Sequence, residues 1–285
     1  MVLVAISALL VALSVASSAS AAPKGAFAVF AECPLTVSGV ESCIYAKTES
    51  GEFVVGKQRV PITNPIVLQG GLKENPLTGH ETFVAAAKGN TLTKAPQNVP
   101  GGLLDLVNCK EISNFIERVA CELTFENGVT GVTATTELAA PASSIGLFEG
   151  HLLEAEGTAL SLPVKVHLEN PLLGSECYIG SNAHPIVIEF TTGTTSPPPP
   201  NKPITGTPGT LTFTEEGTLL TISKTSLVNN TFAAPEVTGC GGVFSFLIDP
   251  IVDGKLGLPA SSGHNTAILN GTLKEAAATA VKASE

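Results

Sequence analysis

Short apolar stretches alternate with turns along nearly the whole chain, and no single pattern is sustained for long. The clearest is Val164, Val166 and Leu168 alternating with Lys165, His167 and Glu169, the period of two of a strand with one buried face. Residues 44–60 predict two strands around a turn at 49–52, where Gly51 can supply a positive φ. Residues 61–71 predict a strand interrupted by Pro65, hence an edge strand or a bulge, and residues 80–94 predict two more strands. The Asn127-Gly128 pair predicts a hairpin within 121–138. Residues 209–224 predict another, turning at 215–217. A strongly apolar strand is expected to begin at Cys240, and a last strand covers 264–275. The best internal helix candidate places Ile112, Phe115, Ile116 and Val119 on one apolar stripe. The tail 276–285 favours helix but offers nothing obvious to bury, so fraying is expected. These elements predict an all-β fold, a β-sandwich or jelly-roll-like arrangement with one short helix, stabilised by disulfides.

Composition supports that class. The 285 residues include 28 Gly and 20 Pro, which favours many turns over long helices. Residues 2–16 are apolar and uncharged, and Ala19-Ser20-Ala21 follows. This predicts a signal peptide over 1–21, cut after Ala21, although no Lys or Arg precedes the apolar run. That run is shorter than the roughly 20 residues needed to span a bilayer. A proline run in 191–209 raises two organisations. Residues 22–285 form one β-rich domain with an extended surface excursion, or 22–190 and 210–285 are two units on a linker. A Cys177–Cys240 link favours the first, and an exposed polyproline segment would then be the best place to look for a partner.

Six cysteines, Cys33, Cys43, Cys109, Cys121, Cys177 and Cys240, fit an exported disulfide framework. Fifteen pairings are open to six cysteines; spacing favours Cys33–Cys43, Cys109–Cys121 and Cys177–Cys240. No C-x-x-C pair or histidine at ligand spacing supports zinc. The net charge of −10 argues against nucleic acid as a partner. No Trp and only two Tyr argue against a lectin-like stacking site or an outer-membrane barrel.

Chemistry-bearing motifs are sparse. There is no G-x-S-x-G, no H-E-x-x-H and no phosphate-binding glycine loop, but catalytic carboxylate pairs leave no local signature. Of the five histidines, His80, His151, His167, His184 and His264, one sits in a dense group with Glu149, Glu154 and Glu156. On a strand those four would divide between two faces, so a solvated surface is favoured over a metal site. Asp249 and Asp253 are too few for a calcium loop. Asn229 and Asn270 head acceptor sequons. "LPASSG" at 258–263 lacks the apolar span and basic tail of a sorting signal. No catalytic residue, metal ligand or cofactor is assigned.

The stretches "CKEISNFIERVACELTFENGVTGVTATTELAAPASSIG", "ENPLLGSECYIGS", "TTGTTSPPPPNKPI", "CGGVFSFLIDP" and "GLPASSGHNTAILNGTLKEA" resemble a family of secreted, β-rich actinobacterial proteins with no assigned activity. The resemblance implies an extracellular or cell-envelope setting and supplies no site residues. The expectation is therefore an exported, non-enzymatic structural or interaction protein whose partner is the cell wall or another protein. A secreted hydrolase or carbohydrate-binding module on a jelly-roll, and an oligomeric envelope pore, are the alternatives.

Overall fold

The computed structural model describes residues 21–74, 77, 81–102, 115, 131–214 and 216–285. The chain is mostly β, in two antiparallel sheets. The first holds β1 (Ser42–Val55), β2 (Gln58–Pro61), β3 (Ile66–Glu74), β4 (Glu81–Ala85), β11 (Thr210–Phe213), β12 (Leu219–Asn229) and β14 (Thr266–Ala277). Its order is β11-β12-β14-β1-β3-β4, with β2 beside the second half of β1. The second holds β5 (Gln97–Val99), β6 (Val132–Leu138), β7 (Gly146–Leu147), β8 (Leu160–Glu169), β9 (Tyr178–Ile179), β10 (Ile186–Phe190) and β13 (Val237–Thr238). Here β8 is the spine: β6 and β7 pair with it, as do β9 and β10. Strands from both sides of the proline run lie in each sheet.

The alternation read in β8 is realised, with Val164 and Leu168 buried and Lys165 and His167 only half-buried. Val164, Leu162, Ile186, Ile188 and Phe190 of the second sheet meet Ile44, Leu68, Leu72, Ile222 and Leu273 of the first in one continuous core. This is the sandwich arrangement, since each sheet has one apolar face to hide.

Several local expectations are corrected. β1 does not turn at 49–52; it runs through Gly51, with an irregularity between Thr48 and Ser50. Gly51 is needed for close approach instead, because a Cβ there would lie 1.9 Å from the Ile268 carbonyl oxygen. The turn is two residues long, Gly56-Lys57, between paired Val55 and Gln58, with glycine at the first position where φ is +58°. Pro65 lies just ahead of β3, which is an inner strand between β1 and β4. It therefore removes no hydrogen bond from the ladder. The tail does not fray: Ala278–Ala283 is a helix, and Val281 is fully buried. It packs with Phe30, Leu219 and the Cys33–Cys43 bridge against the outer face of the first sheet. The hairpin of β11 and β12 and the strand β14 form as expected.

Among the described residues, two disulfides are present, Cys33–Cys43 and Cys177–Cys240, which fit an oxidising setting. The Cys109–Cys121 pair, the helix expected over 112–119, the Asn127-Gly128 turn, His80 and the segment 1–20 lie outside the described residues. Among the described residues, no helix is long and apolar enough to cross a membrane.

The proline run is tied to the body at both ends. Bridges join Thr191 to Val228 and Thr207 to Ser226, and Thr194 faces Thr205 across the excursion. Near its tip, the Asn201 amide donates to the Asn265 carbonyl (2.8 Å) and Asn230 donates to the Lys202 carbonyl (2.8 Å). Pro198, Pro199 and Pro200 are exposed.

Candidate functional site

The segment expected to be a strand from Cys240 is instead a 3-10 turn, Gly242–Phe244, leading into a helix, Ser245–Leu256. Gly241 and Gly242 take φ of +78° and +59°, which turns the chain out of β13 and ends any strand. The helix closes on Gly257 at φ +70°, with the Leu258 N–H donating to the Asp253 carbonyl (2.9 Å). That is the six-to-one bond of a glycine-terminated helix, with Leu258 buried behind it.

The helix is fastened by its acids. Asp249 and Asp253 stand one turn apart and face the protein. Asp249 accepts from the backbone N–H of Cys240 (2.8 Å) and Gly239 (3.2 Å), and Asp253 from that of Val237 (2.8 Å). The two residues weighed as calcium ligands therefore bind the end of β13. Val252 and Leu256 are buried on the same side.

The other side is apolar and uncovered. Val243, Phe244, Phe246, Leu247 and Ile251 are between 46% and 84% exposed. Phe246, Leu247, Pro250 and Ile251 fall on one side of the helix at about 100° per residue, and Val243 and Phe244 lie in the 3-10 turn that leads into it. Every exposed residue from Gly242 to Gly254 lacks a charge and a polar side chain. Scattered exposed apolar residues are ordinary on protein surfaces, but a contiguous group is not.

A second cluster lies at one end of the sandwich. Glu275 of β14 stands opposite Ile44 of β1 and Leu220 of β12, so it shares the inward face. Glu74 and Glu81 are direct cross-strand neighbours, an unfavourable juxtaposition of like charges. Glu149 reaches the group from the short helix Glu149–Leu153. A groove of about 310 Å³ runs past Glu41, Glu74, Glu81, Glu275 and Phe213. Burial first, then a hydrogen bond to Glu275 and the charges of Glu275 and Glu81, push the Glu149 carboxyl up to about 9. Burial and the charges of Glu275, Glu74 and Glu41 also raise Glu81. At neutral pH Glu149 is therefore a neutral acid near Glu275, with its Oε1 buried and without a hydrogen-bond partner.

The direction of that shift fixes a pH dependence. Folded Glu149 keeps a proton that the unfolded chain releases above its ordinary value of 4.5. Its contribution to stability is complete below that value and is lost as pH rises toward about 9. Glu149→Gln, which cannot ionise, should raise stability at pH 8 by on the order of 2 kcal/mol. Below pH 4 it should change little. Denaturant unfolding across that range checks this, and parallel curves for the two proteins would contradict it.

The structure separates the other residues read as candidates. Glu149 and His151 are helical, not on a strand; Glu154 and Glu156 are exposed in the following loop. The His151 Nδ1–H donates to the Thr158 carbonyl (2.8 Å). His167 stacks on Tyr178 at 4.5 Å, under the reach of Lys165. His184 and His264 are exposed elsewhere. Among the described residues, no three His, Cys, Asp or Glu side chains are grouped to hold a metal ion. Asn229 is buried, and its amide donates to the Glu189 carbonyl (2.6 Å), so this sequon is occupied by the fold's own hydrogen bonds. Sequence reasoning missed the Glu149–Glu275 pair because its members come from a short helix and a strand far apart in sequence, with no shared motif. It missed the apolar helix because Val, Phe and Ile also favour strands. No protein-family model matches the chain, and neither a curated protein nor a solved structure is similar to it.

Proposed function

We propose that this chain is an exported, non-enzymatic interaction protein of the cell envelope or extracellular space, and that it works through the apolar side of Ser245–Leu256. One observation carries the proposal. Every exposed residue from Gly242 to Gly254 is apolar, on a segment held from behind by Asp249, Asp253 and the Cys177–Cys240 bridge. A side chain with no folding role and a cost in solubility is best explained by something that covers it. The same reading treats residues 22–285 as one unit, supported by strands from both sides of 191–209 in each sheet.

In cells that export the chain, the native protein should remain with the washed envelope fraction. Phe246→Asp should release most of it to the medium. Equal partitioning of the two proteins would refute the proposal.

The hydrolase alternative draws support from the Glu149–Glu275 pair alone. A carboxyl pair sharing a proton can activate water in peptide hydrolysis. That reading requires turnover of a peptide, ester or glycoside substrate that Glu149→Gln abolishes.

A further inference from the structure

We propose that the partner of this apolar face is the acyl layer of a lipid surface that carries little net charge, into which Val243, Phe244, Phe246, Leu247 and Ile251 insert as a rigid wedge. The inference rests on the reading of that face as the working surface and names what it meets.

Size is the first argument. Stable protein interfaces take about 20–30 residues a side, and the exposed uncharged stretch runs only from Gly242 to Gly254. A second copy or a protein partner covering only this stretch would bury too little to hold. Insertion into an apolar phase needs no matched opposite surface, and its strength scales with the apolar area removed from water.

Polarity is the second. Protein interfaces carry about one hydrogen bond per 100–200 Å², and the exposed side chains here offer none. Of the charged groups of the helix, Asp249 and Asp253 already accept backbone N–H groups of β13 and its following turn, and Lys255 stands half-buried in the last turn, beyond the exposed apolar stretch. Interfacial helices ordinarily expose a polar face to water. In this helix the body of the protein, with Val252 and Leu256 packed into it, takes that place.

Charge selects the kind of surface. A chain of net charge −10 is repelled by anionic headgroups, and equally by another copy of itself. No exposed cation lies between Gly242 and Gly254 to offset this. A zwitterionic or uncharged surface is the one it can approach. Rigidity completes the argument: a disulfide, two carboxylate clamps and a glycine-terminated end fix the wedge before contact, so little ordering entropy is lost on insertion.

The chain contains no Trp, so Phe246→Trp in the full chain creates a single emitter at the tip. Its emission should shift to the blue with phosphatidylcholine vesicles and be quenched by acyl-brominated phosphatidylcholine. Val187→Trp, on the exposed face of β10, should do neither. Vesicles rich in phosphatidylglycerol should bind more weakly at low salt. Flotation of the native protein with phosphatidylcholine vesicles should fall roughly tenfold or more with Phe246→Asp, while the melting transition stays in place because the side chain is exposed. No blue shift or flotation on either vesicle, combined with envelope retention that Phe246→Asp still abolishes, would overturn lipid in favour of a protein partner and leave the functional reading standing. A dimer that the same substitution dissolves would overturn it in favour of a second copy. Failure of both vesicle binding and envelope retention would remove the reading of the face itself.

Discussion

Replacing Cys177 and Cys240 together by alanine should lower stability by roughly 4 kcal/mol, because their bridge closes a loop of about 60 residues in the unfolded chain. At this chain size that corresponds to a fall in melting temperature of roughly 8–15 °C. Both cysteines are fully buried, so neither half is available for exchange at the surface. The bridge fastens β8–β9 to the turn that launches Ser245–Leu256. The Gly241 N–H beside it donates to the Leu173 carbonyl (2.7 Å), and the Cys240 N–H donates to Asp249. Removing Cys33–Cys43, whose partners are 10 residues apart in sequence, should cost less, since loop entropy rises with length. Thermal unfolding of the two double variants checks the order, and a larger drop for Cys33–Cys43 would contradict it.

Asn265→Ala should cost roughly 3–4 kcal/mol, because it strips several buried groups of their partners at once. The Asn265 side chain is fully buried. Its amide nitrogen donates to the carbonyls of Phe232 (2.9 Å), Ala260 (3.2 Å) and Ser261 (3.3 Å), and its oxygen accepts from the Gly56 N–H (2.9 Å). Its own carbonyl accepts from Asn201 in the proline run. One residue thus joins the β1–β2 turn, the approach to β14 and the 191–209 excursion. Asn265→Asp should be worse at neutral pH despite its near-identical shape: it would set a carboxylate against three carbonyl oxygens. The deficit should shrink as acid protonates the new carboxyl. Asn270→Ala, on the half-buried part of β14, should cost under about 0.5 kcal/mol. A loss at Asn265 as small as that would show that the network is not what holds the excursion down.

The legible parts of the fold were those where a local pattern also decides the tertiary outcome. The two-residue period of β8 fixes a buried face, and the β11–β12 hairpin and β14 follow the same rule. Where a residue's role depended on a distant neighbour, local reasoning failed. Gly51 was read as a turn because glycine permits one, yet the Ile268 carbonyl of β14 is what requires it. The tail looked unsupported because Phe30 and the Cys33–Cys43 loop that cover Val281 come from the opposite end of the chain. Cys240 onward was read as a strand from its Val, Phe and Ile content. The helical signal was present in Ile248, Val252 and Leu256 one turn apart, with Asp249 and Asp253 beside them and Gly257 as the stop. Once that periodicity is seen, the exposed side of the helix can be assigned from sequence as well. The proximity of Glu149 to Glu275 has no such signal, since it is made by where a short helix comes to rest near β14, far later in the chain.

The account turns on whether the apolar side of Ser245–Leu256 is covered when the protein is at work. A photo-reactive phenylalanine analogue at position 246, introduced into the exported full chain and activated in intact cells, tests this most directly. The account predicts covalent adducts from position 246 and none from position 187 on β10. Adducts from 187 with none from 246 would contradict it.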